Sequence, residues 1–258
     1  MIYTIPTHYE PLTLVVKVST KSPQKIRIKV FDAEQPNTYF TDRYKTINGR
    51  QEFQIFMPLS GRKCVLSIYN ESYGEVPNDN SFIVEKIEKE HLRTKLEVID
   101  YSNQLLTSFL GFAKRFCYNA GTLDVGSYVS DDNKFLIQYD SVISDNGQEQ
   151  TTPARIDTTS GRIEVSKKQF IKFTIPNRMA ILLHEFSHVY LNDNVDDEIE
   201  ADLNGLLIYL GLGYPRIEAF EVFGKTFENA PSEENRIRYD KIKKFIDNFD
   251  EFNTYLTE

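Results

Sequence analysis

The sequence predicts an α+β chain in two parts: an antiparallel β-sandwich over residues 1–90, then a compact, mainly helical α+β domain over residues 91–258. Three observations point there. The N-terminal part alternates apolar and polar side chains with period two, broken by frequent turn signals. A charged stretch, Glu88-Lys89-Glu90-His91-Leu92-Arg93, marks a change of composition. Beyond it, apolar residues recur every three or four positions, the helical period.

Leu12, Leu14, Val16 and Val18 alternate with Thr13, Lys17 and Ser19, and Ile26, Ile28 and Val30 alternate with Lys25, Arg27 and Lys29. Further strands are expected at Phe53–Met57, Cys64–Tyr69 and Phe82–Ile87. Ser22-Pro23, Asn48-Gly49, Ser60-Gly61, Tyr73-Gly74 and Pro77-Asn78-Asp79 read as the turns that separate them. Short strands at such spacing suggest an immunoglobulin-like sandwich. It holds no catalytic constellation and suits attachment or docking. His8 is expected at the surface or a strand end, and His91 in the linker.

In the second part, Leu105, Leu106, Phe109, Phe112 and Phe116 share one helical face, and Phe135–Tyr139 reads as a strand. The polar stretches Ser144–Thr152 and Thr158-Thr159-Ser160-Gly161 read as loops near a cleft mouth. Helices are predicted over about Asn177–Leu191 and Glu198–Leu210, the second ended by Gly211 and Gly213. A last helix places Ile242, Phe245, Ile246, Phe249 and Phe252 on one face, to pack on the core.

Composition removes several function classes. The chain has 258 residues, 40% of them hydrophobic, with no apolar run long enough to span a bilayer. Its formal charge of −8 argues against a nucleic-acid surface. Lys241, Lys243 and Lys244 are balanced by Asp240, Asp247, Asp250 and Glu251. Two cysteines, Cys64 and Cys117, form no CxxC and suggest a reducing compartment. The N-terminus shows no secretory pattern, so a cytoplasmic location is expected.

The chemistry is concentrated in His184-Glu185-Phe186-Ser187-His188-Val189-Tyr190. On a helix, His184 and His188 stack on one face, about 6 Å apart along the axis. This is the HExxH arrangement, with two nitrogen ligands for zinc and a carboxylate, Glu185, placed as proton acceptor. Flanks of Met179–Leu183 and Phe186, Val189 and Leu191 are apolar, so the helix should be buried. Buried histidines and a glutamate are costly unless satisfied, by a metal or by core hydrogen bonds. The spacing favours the metal.

Catalytic zinc takes three protein ligands and an open position. No histidine follows His188, so a carboxylate must complete the set. Glu198 and Asp202 lie i, i+4 on one face: Glu198 can reach the metal while Asp202 accepts a hydrogen bond from a ligand histidine. Glu200 points about 200° away and suits a capping box with Asp197 as N-cap. Because helix starts shift by a residue or two, Glu200 and Asp197 remain alternatives to Glu198.

HEFSHVY followed by Glu198-Ile199-Glu200-Ala201-Asp202 resembles the compact gluzincin metallopeptidases, which pair HExxH with a downstream ExxxD. The resemblance covers roughly residues 95–245 and rests on these two motifs. It implies a zincin-like domain with one zinc per chain on His184, His188 and Glu198. Glu185 becomes the general base and Asp202 the partner of His184; the substrate is a peptide or protein. An oxyanion donor is expected among Tyr190, Tyr209, Tyr214, Arg236, Arg238 and Tyr239. Gluzincins present an edge strand to substrate, and Gly161–Ser166 lies where that strand is expected. The run Leu206–Arg216 is similar to short peptidase-like proteins of tailed bacteriophages. That likeness implies a second role: a virion component of the neck, tail or portal-proximal ring. On that reading the chain uses a peptidase fold as a building block and docks phage structural proteins through its N-terminal domain. It would lie in host cytoplasm or in a virion, with neither nucleic acid nor membrane as partner.

Overall fold

The computed structural model describes residues 1–76, 79–229 and 231–252. The protein is mixed α+β and divides into two compact units, Met1–Arg93 and Thr94–Glu258. No helix among the described residues is long and apolar enough to cross a membrane.

The first unit holds strands β1 (Ile2–Pro6), β2 (Leu12–Asp32), β3 (Tyr39–Met57), β4 (Lys63–Asn70) and β5 (Phe82–His91). They form one antiparallel sheet around β2. Along one edge β2 pairs with β3 from Leu12↔Met57 to Phe31↔Tyr39. Along the other it pairs first with β5 (Leu12↔His91 to Thr20↔Phe82), then with β4 (Ile26↔Asn70 to Asp32↔Cys64), and β1 closes on β4.

Two expected turns are absent. Ser22-Pro23 and Asn48-Gly49 lie inside the long strands β2 and β3, at the register shift between Thr20 and Gln24. Pro23 has no N–H to give a ladder, so the chain bulges there and continues. Gly49, opposite Thr20, takes up the bend at φ +80°. Turns do follow at Ser60-Gly61 and Tyr73-Gly74, while Pro77 and Asn78 lie outside the described residues. Glu88–His91, expected as linker, completes β5. His8 is exposed just past β1.

The second unit opens with a short 3-10 helix at Leu96–Val98, followed by α1 (Gln104–Asn119), capped by the Asn103 side chain accepting from Leu105 and Leu106 N–H. Phe109, Phe112 and Phe116 are buried as expected, but Leu105 is turned to solvent. A four-stranded sheet follows in the order β10 (Ala154–Ile156), β11 (Ile163–Ser166), β7 (Leu136–Asp140), β6 (Gly126–Val129). β11 and β7 are parallel; the other pairs are antiparallel. Within the stretch read as loop, β8 (Ser144–Asp145) and β9 (Gln148–Glu149) make a small hairpin turned through left-handed Asn146 and Gly147.

Five helices complete the unit: α2 (Lys167–Phe170), α3 (Ile175–Tyr190), α4 (Glu198–Gly211), α5 (Arg216–Asn229) and α6 (Glu233–Phe252). Thr174 caps α3 and Pro176 occupies its first turn, where a missing N–H costs nothing. Phe186 of α3 stacks on Phe109 of α1 at 4.2 Å between centroids, and Phe135 meets both edge-on. Ile242, Ile246 and Phe249 bury one face of α6; Phe245 is half-buried beside Phe249, and the Phe252 side chain lies outside the described residues.

Candidate metal centre

α3 and α4 approach closely because Gly205 has no side chain. A Cβ built there would lie 3.0 Å from the His184 backbone nitrogen and 3.1 Å from the Leu183 carbonyl carbon. One turn earlier, α4 carries Asp202, and its first residue is Glu198. The close approach therefore places both carboxylates beside the first histidine of HEFSH.

His184, His188 and Glu198 each offer a ligand atom, all within 4.8 Å of one another. The two Nε2 atoms face each other at 3.2 Å, with the rings nearly perpendicular at 88°. Glu198 Oε2 lies 3.5 Å from His184 Nε2, and Oε1 lies 3.7 Å from His188 Nε2. The far side of each ring faces an oxygen, in hydrogen-bonding geometry for His188 and at short range without it for His184. His188 Nδ1 is 2.7 Å from the Val195 carbonyl, and His184 Nδ1 is 2.9 Å from Asp202 Oδ1. A carbonyl only accepts, so His188 carries its proton on Nδ1 and turns a lone pair inward. When His184 likewise protonates Nδ1 toward Asp202, two lone pairs and a carboxylate converge on one point. That arrangement is stable only with a cation between them.

Zinc fits this spacing. Ligands at its ordinary bond lengths in tetrahedral geometry stand about 3.3–3.5 Å apart. A proton is the other cation available. Burial lowers the His184 pKa, but hydrogen bonds and charge from Asp202 and Glu198 outweigh it and raise it to about 10. Glu198 is held down to about 2, first by its hydrogen bond with His184 and then by the charges of His184, Arg238 and His188.

Glu185 is buried beside the cluster. Desolvation raises its pKa, and the two histidines and the Ile156 backbone N–H partly offset that. Ile156 belongs to β10, which corrects the expected edge strand. β11, within Gly161–Ser166, is paired on both sides, with β10 and with β7. Ser166 N–H donates to Pro153 O, and Asp157 N–H to Arg162 O. By alternation, 153, 155 and 157 bond inward, and Ala154 and Ile156 turn their backbone groups to the open side.

That open side is one wall of a cleft of about 560 Å³, lined by Thr151–Ile156 and Thr158. His184, Glu185, His188, Glu198 and Arg238 also line it, and Phe173, Ile181, Val222 and Phe223 form an apolar part. Both polar stretches predicted near the cleft mouth contribute to it.

Glu200, the alternative ligand, points elsewhere: its carboxylate accepts from Asp193 and Asn194 N–H. Asp197 caps α4 through Ile199 and Glu200 N–H. Of the possible oxyanion donors, only Arg238 lines the cleft. Tyr209 donates to Pro215 O, Tyr214 is buried stacked on Tyr209, and Tyr190 stacks on Phe186, its hydroxyl against Gly161. Arg236 pairs with Glu233 on the surface, and Tyr239 packs near Phe227.

Arg238 is itself committed. Its Nε donates to Asp202 Oδ2 at 2.8 Å and its Nη2 to Asp202 Oδ1 at 3.0 Å, with Glu198 Oε2 at 2.9 Å from the same Nη2. This clamp, the Gly205 contact and the β10 edge are the parts that sequence reasoning missed. Only Gly205 left a signal, a glycine inside a strongly apolar helix. No protein-family model, curated protein or solved structure matches the chain.

Proposed function

We propose that the second unit is a zinc-dependent endopeptidase of gluzincin type, hydrolysing peptide bonds with one zinc per chain. The observation that carries this reading is the 3.2 Å approach of two imidazole Nε2 atoms beside a carboxylate, with each Nδ1 facing an oxygen. His184, His188 and Glu198 would hold the metal, which when bound supplies a Lewis acid and an acidified water.

The rest falls to the chain's own residues. Glu185 is buried beside the proposed ligands and lines the cleft, where a carboxylate can take a proton and return it. The free edge of β10 presents the backbone of Ala154 and the carbonyl of Ile156 to an extended peptide, which would add as a strand. Phe173, Ile181, Val222 and Phe223 would receive an apolar side chain and exclude water. The first unit we read as a sandwich-like attachment module. Leu14, Val16 and Val18 share a face with Ile26, Ile28 and Val30 across the bulge, all buried, which supports a sheet folded over one core.

Replacing Glu185 with Gln tests the enzymatic part. The variant should bind zinc with unchanged stoichiometry and lose peptide cleavage. Cleavage at the wild-type rate would remove Glu185 from its role.

A further inference from the structure

Arg238 reaches the centre from α6, far along the chain from the helices that hold the metal-binding set, and it touches both carboxylates. Resting on the zinc reading above, we infer that Arg238 is a positioning residue that orients Glu198 toward the metal and couples docking of α6 to metal loading.

Bonding geometry argues for the first half. Arg238 is the guanidinium that contacts both Glu198 and Asp202. The other cations lining the cleft are engaged elsewhere: Arg155 with Asp145 and Glu164, Lys225 with Glu221. Arg238 cannot serve the two carboxylates as a point charge would. One Nη2 is shared between Asp202 Oδ1 and Glu198 Oε2, while Nε takes the second Asp202 oxygen. The guanidinium engages Oε2 of Glu198, so Oε1 remains the more available donor. Lysine has no second nitrogen with which to make the same contacts.

The second half follows from where the guanidinium sits. It is 12% exposed in its side chain, stands 5.0 Å from the Phe227 ring of α5, and lies against α4. Its anchors on α4 are Glu198, a metal ligand, and Asp202, the partner of His184. A metal that fixes those two residues fixes the socket into which the start of α6 docks. Loading should therefore protect α6 although the proposed ligands lie on α3 and α4.

The test uses the full chain with Arg238→Gln and Arg238→Lys. Zinc affinity is read by competition with a chromophoric chelator, geometry by the visible spectrum of the cobalt-loaded protein, and α6 by hydrogen exchange with and without zinc. We expect Arg238→Gln to weaken zinc about 10- to 100-fold, shift the cobalt bands and abolish zinc-dependent protection of α6. Arg238→Lys should recover part of the affinity and none of the spectrum. Wild-type affinity and cobalt bands in either variant would overturn the inference, as would α6 protection indifferent to zinc in the wild type. If Arg238→Gln does not fold, the lysine variant decides alone. A wild type that binds no metal overturns the zinc reading itself, a result distinct from these.

Discussion

Gly205 lies against the backbone of His184, and no larger residue fits between α4 and α3 without moving one of them. Helix propensity alone would favour alanine here by about 1 kcal/mol. A Cβ 3.0 Å from a backbone nitrogen has no flexible neighbour to displace, so the helices must part. Gly205→Val should cost about 1–3 kcal/mol and weaken zinc binding, since Glu198 and Asp202 ride on the displaced helix. Urea unfolding with a zinc titration checks this; wild-type affinity in Gly205→Val would show that the approach does not set the site.

Ile156 links the substrate edge to the proposed base. Its N–H faces the cleft beside Glu185, whose pKa it helps to lower, outside the ladder with β11. Ile156→Pro removes that donor while leaving the β10–β11 bonds in place. A hydrogen bond to a charged group is worth about 1.5–3 kcal/mol, so kcat/KM should fall roughly 10- to 100-fold with zinc content unchanged. Steady-state kinetics on a peptide substrate reads the effect, and an unaltered kcat/KM would free the β10 edge from the reaction.

Arg178 is fully buried on α3, and its guanidinium donates to three carbonyls: Phe170 at 3.2 Å, Cys117 at 2.8 Å and Ile171 at 3.2 Å. These are the final turns of α1 and α2, where orphan carbonyls and helix dipoles favour a cation. Arg178→Met would leave the buried Cys117 carbonyl without this donor, at about 1–3 kcal/mol, while Phe170 O still accepts from Phe173 N–H and Ile171 is exposed. A net loss of about 1–3 kcal/mol is expected in urea unfolding. A variant as stable as wild type would show that the carbonyl finds another partner.

Cys64 and Cys117 are free and fully buried, each in its own unit. Burial pushes the Cys64 thiol up to about 12, with Asp32 adding to it, and burial raises Cys117 further still. Neither forms thiolate near neutrality, so thiol reagents should label the native chain only over the time of unfolding. In denaturant two thiols should react. Rapid native labelling of either would contradict their placement.

Much of the second unit was legible because its signals are local. HEFSH fixes a helical face through i, i+4 spacing, and Glu198 and Asp202 repeat that spacing. Between Glu198 and Glu200 the spacing left both open, because a helix start can shift by a residue or two; the fold turns Glu200 toward the loop at Asp193. What stayed hidden depends on distant partners. Which strand carries the open edge follows from β11 pairing with β7, a parallel contact that no local pattern announces. Arg238 read as one arginine among several until α6 packed. In the first unit, Ser22-Pro23 and Asn48-Gly49 have turn chemistry, yet both serve one bend shared by two continuous strands. Composition marks a break in the ladder; only pairing shows whether the chain reverses there.

The central claim is a divalent ion held by His184, His188 and Glu198, and metal content measures it most directly. Purified wild-type protein, incubated with zinc and dialysed, should retain one zinc per chain, and His184→Ala should retain none. A folded wild-type chain that keeps no zinc, or a His184→Ala variant that keeps as much as wild type, would contradict the account.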